Sequence, residues 1–566
     1  MQPAPWPDVP AATARVARAA FPKGTLAIRA RDQLGCWYAD AAFAGGYGAR
    51  GAPGISPAQL AVVTVLQFTE NLTDRQAADA VRGRLDWKYC LGLALEDEGF
   101  DYSVLSEFRS RLVAGSLEMA IFELLLERLK AAGLVKPGGR QRTDSTHVLG
   151  RIRGLNRLEL AGETVRAALE ALAAAAPDWL AGVIDSSWQR AYGQRIDGAR
   201  LPASQAARAD LAVRYGRDGY HLLERAYSPA APAWVRDLPA VQVLRRVWVQ
   251  QYYRVIDEHG EKVQRREAGL SGHGLPPGRR LIVSPYDTHA RYSEKRGKGW
   301  LGYKAHLTET VSDPASDDPA TRRPPCPNLI TNVATTEATV ADAVMTEPVH
   351  DALAAAGLLP GEHAVDAGYT SADLLVAARQ RGITLIGPLL ADNSPQARNG
   401  GYTQDAFTID WDNHQVTCPQ GAVSRTWSQL RPDGRPEAII VQFARASCTA
   451  CPARSTCTTS ARSGRQLSLR PREIHQALAA ARAAESTQQW KDRYKTRAGV
   501  EGTMAQAVHV TGIRRARYLG LPRTRLEHAA AATAINLIRL DAWWTGKPLD
   551  RTRTTHLQRL DLNLAA

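Results

Sequence analysis

The chain has 566 residues, enough for two to four domains around a sizeable core, and its 71 Lys and Arg against 57 Asp and Glu leave a net charge of +14. That basic balance favours a polyanionic partner, nucleic acid first, although large Arg- and Ala-rich chains are often mildly basic without one. Seven cysteines, four of them crowded between Cys418 and Cys457, do not form an evenly spread disulfide framework, and no apolar run long enough to cross a bilayer and no basic-then-apolar leader at Met1-Gln-Pro-Ala is present, so a cytoplasmic protein in a reducing compartment is expected.

Residues 1–55 are mixed, punctuated by Gly45-Gly46-Tyr-Gly48 and Gly51-Ala-Pro-Gly54. Ser56-Pro57 reads as an N-cap and first turn, followed by Leu60, Val63, Leu66 and Phe68 at helical spacing. Thr73 to Arg82 and Ser103 to Arg111 read as two further helices. Short helices, tight turns and arginines predict an all-helical N-terminal DNA-binding domain over 1–135, of helix-turn-helix character. A plain helical bundle with a solvated charged face is the competing reading.

From Gly139 the pattern alternates and is rich in β-formers, so Arg142-Thr-Asp144-Ser-Thr-His147-Val148 reads as the first strand of a core beginning at 136–154. A mostly helical insertion follows over 155–280. Strand character returns at Gly302–Thr310 and Asn328–Val333, then a helix near Thr339–Ala356, a strand Glu362–Asp366, a helix capped by Ser371 and a strand at Ile383, so the core continues over 281–390. Residues 391–482 are turn-rich and carry cysteines, an inserted subdomain. The segment 483–545 holds a helix from Tyr494 to Glu501, a basic turn from Gly512 to Tyr518 and a helix from Leu526 to Trp544; 546–566 is a tail. This order predicts an α/β fold, an RNase H-like core interrupted by insertions.

Tyr494-Lys-Thr-Arg497-Ala-Gly-Val-Glu501 reads Y-x2-R-x3-E, a spacing that puts a phenol, a cation and an acid on one helix face. The pattern resembles the signature around the last acid of the DDE transposases of bacterial insertion sequences. Thr143-Asp144-Ser-Thr-His147 and Val365-Asp366-Ala-Gly-Tyr369 resemble the two earlier blocks, in the same order. The likeness spans roughly residues 55–540 and is greatest to the subgroup called IS eleven-eighty-two. One position departs: the wider signature has Lys six residues beyond the gap after Glu, and here it is Val508, with His509 or Arg514 as substitutes.

Cutting and joining DNA by in-line displacement calls for two divalent ions about 4 Å apart, and hard ions prefer carboxylate oxygens. The resemblance implies that Asp144, Asp366 and Glu501 hold two Mg2+ or Mn2+ ions, that water attacks the phosphodiester at the element end, and that the freed 3′-OH attacks target DNA. It implies double-stranded DNA as partner, both inverted-repeat ends and target, and a homodimer on that DNA. Tyr494 and Arg497 are expected at the phosphate, with Lys304 and His306 as further candidates that exposed strand residues would equally explain. The basic turn, Arg514, Arg515 and Arg517, is expected on the DNA backbone.

Cys448-Thr-Ala-Cys451 is a C-x2-C knuckle, with five residues between Cys451 and Cys457 and 29 between Cys418 and Cys448. Four thiolates suit a structural zinc ion that would help a small subdomain fold, and buried free cysteines are the alternative. Two rival functions stand beside transposition: an RNase H-like nuclease that cuts without joining, and an inactive descendant acting as a DNA-binding regulator.

Overall fold

The computed structural model describes residues 6–48, 54–196, 198, 201–258, 260–312, 326–431 and 436–547. The expected tail therefore lies outside the described residues from 548 on, as do residues 49–53 of the second glycine-rich stretch. About half the chain is helical, around one mixed sheet.

Eight strands bear on the core and its insertion: β1 (Arg140–Leu149), β2 (Tyr252–Asp257), β3 (Gly260–Arg265), β4 (Arg291–Lys295), β5 (Lys298–Thr310), β6 (Ile330–Glu337), β7 (Glu362–Ala364) and β8 (Thr384–Ile386). The main sheet runs β4-β5-β1-β7-β8 with β6 on β5. β1 lies antiparallel to β5, with Asp144 opposite Leu307, and parallel to β7, with Arg142 opposite Ala364. The pairing ends there, with Asp144 two residues on along β1 and Asp366 two residues past the end of β7.

Helices pack on the sheet, Leu521–Trp544 against β6 and Gly499–Gln506 against β1, and bury many of its polar side chains as well as its apolar ones. The helix Pro57–Thr69, with Ser56 accepting from Gln59 N at 3.2 Å and Pro57 in the first turn, is buried along almost its whole length. It packs on Leu521–Trp544, where Ala529 to Ala532 and Ala534 are all at 0% exposure and let the backbones approach closely. N-terminal helices, sheet and this last helix share one apolar core. A second core lies in the insertion, among the helices Arg157–Ala175, Gln205–Ala226 and Pro239–Gln251 and the β2–β3 hairpin. A third, small core holds the strands Thr426–Leu430, Ala438–Gln442 and Gln466–Leu469.

Three features differ from the sequence expectation. β4 pairs with β5 in a hairpin whose tip, Arg296 (φ 54°) and Gly297 (φ 74°), has the two positive φ angles of a tight twisted turn. The helix expected from Thr339 begins at Thr346, after a 3-10 turn Asp342–Met345, and Lys304 Nζ donates to the Val340 carbonyl at 2.8 Å and to the Asp342 carboxylate at 3.0 Å just ahead of it. The helix expected through Tyr494 and Glu501 is broken into Gln488–Lys495, a 3-10 turn Thr496–Ala498, and Gly499–Gln506.

Candidate active site

Asp144 sits at the middle of β1, where the sheet leaves its side chain 15% exposed. Its Oδ1 accepts from the Ser145 N–H at 2.7 Å and its Oδ2 from the Arg497 guanidinium at 2.7 Å. Burial pushes its pKa up, the Arg497 charge opposes that, and the neighbouring charge of Asp366 adds to it. Asp366 follows β7 directly and caps the turn Ala367–Tyr369, accepting from Gly368 N at 2.9 Å.

Glu501 comes from the other side. It stands on the outward face of the helix Gly499–Gln506, 71% exposed, with Oε1 at 3.7 Å from Arg497. Arg497 thus spans two carboxylates that lie 501 minus 144, or 357, residues apart in sequence. A cavity of about 290 Å3 opens beside them, lined by Asp144, Thr146, Glu501, Val508, His509 and Arg514 among others. Arg514 donates to Thr146 Oγ1 at 3.1 Å, and the Lys295 charge acts on both Asp144 and His147. The site is therefore ringed by cations.

Tyr494 stacks on Trp490, ring centroids 4.9 Å apart at 18°. Burial raises its phenol pKa, and the nearby Arg497 charge lowers it. After Glu501's helix the chain makes one π-helical turn, Ala507–Thr511, closed by Gly512 at φ 70°. This turn sets His509 against the cavity and delivers the basic segment, whose Arg514 carbonyl accepts from Leu149 N on β1 at 2.8 Å.

The remaining expected contacts divide. Arg514 and Arg515 are exposed beside the cavity end of β1. Arg517 turns inward, donating to Leu72 O at 2.8 Å and to Asn71 Oδ1 and lying over the Phe68 ring, so it fastens the basic turn to the N-terminal helices. Lys304 is committed to Asp342 at 3.0 Å and Val340 O. His306 is at 0% exposure, bonded to Tyr369 OH and to Thr336 Oγ1. Both side chains make their contacts within the fold, on a strand paired with β1 on one side and β6 on the other. The chemistry on the strand missed by the sequence reading is Glu309, a fully buried acid in the mixed stretch Ala305 to Thr310, which gives no local signal of its burial.

Among the described residues, no group of three or more His, Cys, Asp or Glu side chains is gathered closely enough to hold a metal ion. The donor chemistry at Asp144, Asp366 and Glu501 nevertheless suits a hard divalent cation, and Arg497 occupies the counter-charge position between two of them. Cys418, Cys448, Cys451 and Cys457 line one cavity of about 210 Å3 in the third core. There the Arg465 N–H donates to Cys448 Sγ at 3.3 Å, and Cys418 opens a turn closed by Gly421 at φ 81°.

The family described as "Transposase DDE domain" matches residues 417–541, and "Transposase domain (DUF772)" matches residues 16–111. The two matches support a DDE transposase of an insertion sequence. No curated protein matches it. Of the three acids, Glu501 falls inside the first match, and Asp144 and Asp366 lie between the two. The cysteine cluster and the basic turn also lie within the first match, and the helices from Leu26–Leu34 to Leu85–Leu91 within the second. No described helix is long and apolar enough to cross a membrane.

Proposed function

We propose that this transposase binds the terminal inverted repeats of its own insertion sequence and cuts and joins DNA at Asp144, Asp366 and Glu501, on an RNase H-like core. The observation that carries the reading is the Arg497 bridge, which ties an acid on β1 to an acid on a helix 501 minus 144, or 357, residues later, with the third acid two residues past the end of β7, the strand paired with β1. The strand order β6-β5-β1-β7-β8, antiparallel on one side of β1 and parallel on the other, supports the core assignment.

The three carboxylates would hold Mg2+ or Mn2+, and what such ions supply when bound is activation of the attacking oxygen and neutralisation of the leaving one. The chain's own part is positioning and charge. Arg497 offers two N–H directions, which match the paired oxygens of a phosphodiester as they match the two carboxylates it now spans. Tyr494 and Arg514 would flank that phosphate, and Arg515 would track the backbone. End recognition is assigned to the N-terminal helices, and two copies would pair the two ends. The protein acts in the cytoplasm, on the chromosome. The subgroup is that of IS eleven-eighty-two.

The cysteine quartet would take a structural zinc ion, drawing four thiols that already line one cavity into a closed site. Purified under reducing conditions, the protein is expected to carry about one zinc per chain. Cys448→Ser and Cys451→Ser together should remove it and lower the thermal midpoint; an unchanged midpoint and metal content would count against the site.

The experiment that separates transposition from its rivals incubates the full chain with DNA carrying the inverted repeats that flank its gene, a target plasmid and Mg2+. Transposition predicts cut ends and then joined products. Cutting without joining would leave a nuclease, and binding without cutting a regulator.

A further inference from the structure

Behind the candidate active site lies a charged cluster almost wholly withdrawn from solvent. Glu309 on β5 is fully buried. Its Oε1 accepts from Arg142 Nε at 2.7 Å, and its Oε2 accepts from Arg539 Nη1 at 2.7 Å and from Thr503 Oγ1 at 2.6 Å. Thr503 Oγ1 in turn accepts from Arg539 Nη2 at 2.6 Å. Arg142 Nη1 reaches on to the Thr496 carbonyl at 2.5 Å, and Arg539 to Asn328 O and Gln506 Oε1.

The placement of these groups gives the cluster its meaning. Arg142 is two residues before Asp144 on β1, so both point to one face of the strand. Thr503 is two residues after Glu501, so on the helix the two point in nearly opposite directions. The inward face of the helix is bolted to β5 while its outward face presents the acid. A buried carboxylate held by two guanidiniums and a hydroxyl is costly to assemble and fixes one geometry once assembled. Gly499 completes the fit: a Cβ there would stand 2.2 Å from Arg142 Nη1. The helix break at Thr496–Ala498 is where Arg142 enters.

We infer that Glu309, with Arg142, Arg539 and Thr503, is a positioning clamp that sets the Glu501 helix against the Asp144 strand. This rests on the active-site reading above. A displacement of about 1 Å at a reacting centre costs on the order of a hundredfold in rate, which is the scale of effect a loosened clamp should produce.

The test uses the full chain, inverted-repeat DNA and Mg2+, with cleavage rate, end-DNA Kd, the Mg2+ concentration for half-maximal rate, and circular dichroism read for each variant. Thr503→Val keeps the side-chain shape and removes the hydroxyl. It is expected to stay folded and bind end DNA as the parent does, to cut roughly tenfold or more slowly, and to need more Mg2+. Thr503→Ser should restore both. Gly499→Ala should slow cutting in the same way. Glu309→Gln is at risk of unfolding, so Thr503→Val carries the decision. Parent rate and parent Mg2+ requirement in Thr503→Val, failure of Thr503→Ser to restore them, or loss of folded circular dichroism in Thr503→Val would each overturn the clamp. A Glu501→Gln control that still cuts would instead overturn the active-site reading.

Discussion

Arg497 is held between Asp144 at 2.7 Å and Glu501 at 3.7 Å, and its own side chain is 14% exposed. A lysine could satisfy one of these carboxylates but not both, since a point charge lacks the forked geometry. Arg497→Lys is therefore expected to cut DNA at least about tenfold more slowly than the parent while binding end DNA with similar affinity, because one charge-assisted bond of about 1.5–3 kcal/mol is lost. Parent-like cleavage would show that one contact suffices. At this scale the sequence was informative where a residue carried a spaced word around it: Asp144, Asp366, Glu501 and Arg497 all stood out by their neighbours. It was uninformative about facing. Lys304 and His306 alternate along β5 like residues of a half-exposed strand, and only burial on both faces turns them inward. Glu309 lies in the same alternation and had no word around it.

Elements were legible to the extent that their period was clean. The buried helix Pro57–Thr69 and the strands β1, β5 and β6 are visible in cap, stripe and alternation. The helices Ala11–Ala20 and Leu26–Leu34 were hidden in a stretch that reads as mixed, and β2–β3 in one that reads as helical. The broken helix before Glu501 was beyond local reading altogether, because a guanidinium from β1 causes it. Inside the insertion, Gly219 faces the Trp248 ring so closely that an added Cβ would stand 2.0 Å from it, and Trp248 Nε1 is fixed on Gly216 O at 3.0 Å. Gly219→Ala should therefore destabilise the insertion by about 1–3 kcal/mol despite alanine's better helix propensity. Chemical denaturation followed by tryptophan fluorescence reads this directly; an unchanged or higher midpoint would mean that the ring moves freely.

Over the whole molecule, the N-terminal helices, the sheet and the last helix share a core, so the helices proposed to read DNA and the strands that carry the proposed site are packed together. Buried histidines run through it. Burial lowers the pKa of His306 and His350 to about 4, and of His363 and His528 to about 3. His350 and His363 hydrogen-bond each other at 2.9 Å and titrate as a pair. Since these groups stay neutral when folded and gain protons near pH 6.5 when unfolded, stability is present above that pH and is lost as pH falls toward 4. Each full transit is worth roughly 3 kcal/mol. Glu527, raised to about 8 by burial, acts in the opposite direction as pH rises from 4.5 to 8, and it is one group against four. The thermal midpoint should fall steeply between pH 6.5 and 4.5, and a flat profile would mean that these histidines are hydrated.

The account rests on acids from three distant parts of the chain serving one reaction. The most direct measurement is strand transfer of inverted-repeat DNA into a plasmid by the purified parent and by Asp144→Asn, Asp366→Asn and Glu501→Gln, with end-DNA affinity read alongside. The prediction is joined products from the parent, none from any variant, and affinity unchanged throughout. Joined products from a single one of the three variants would contradict it.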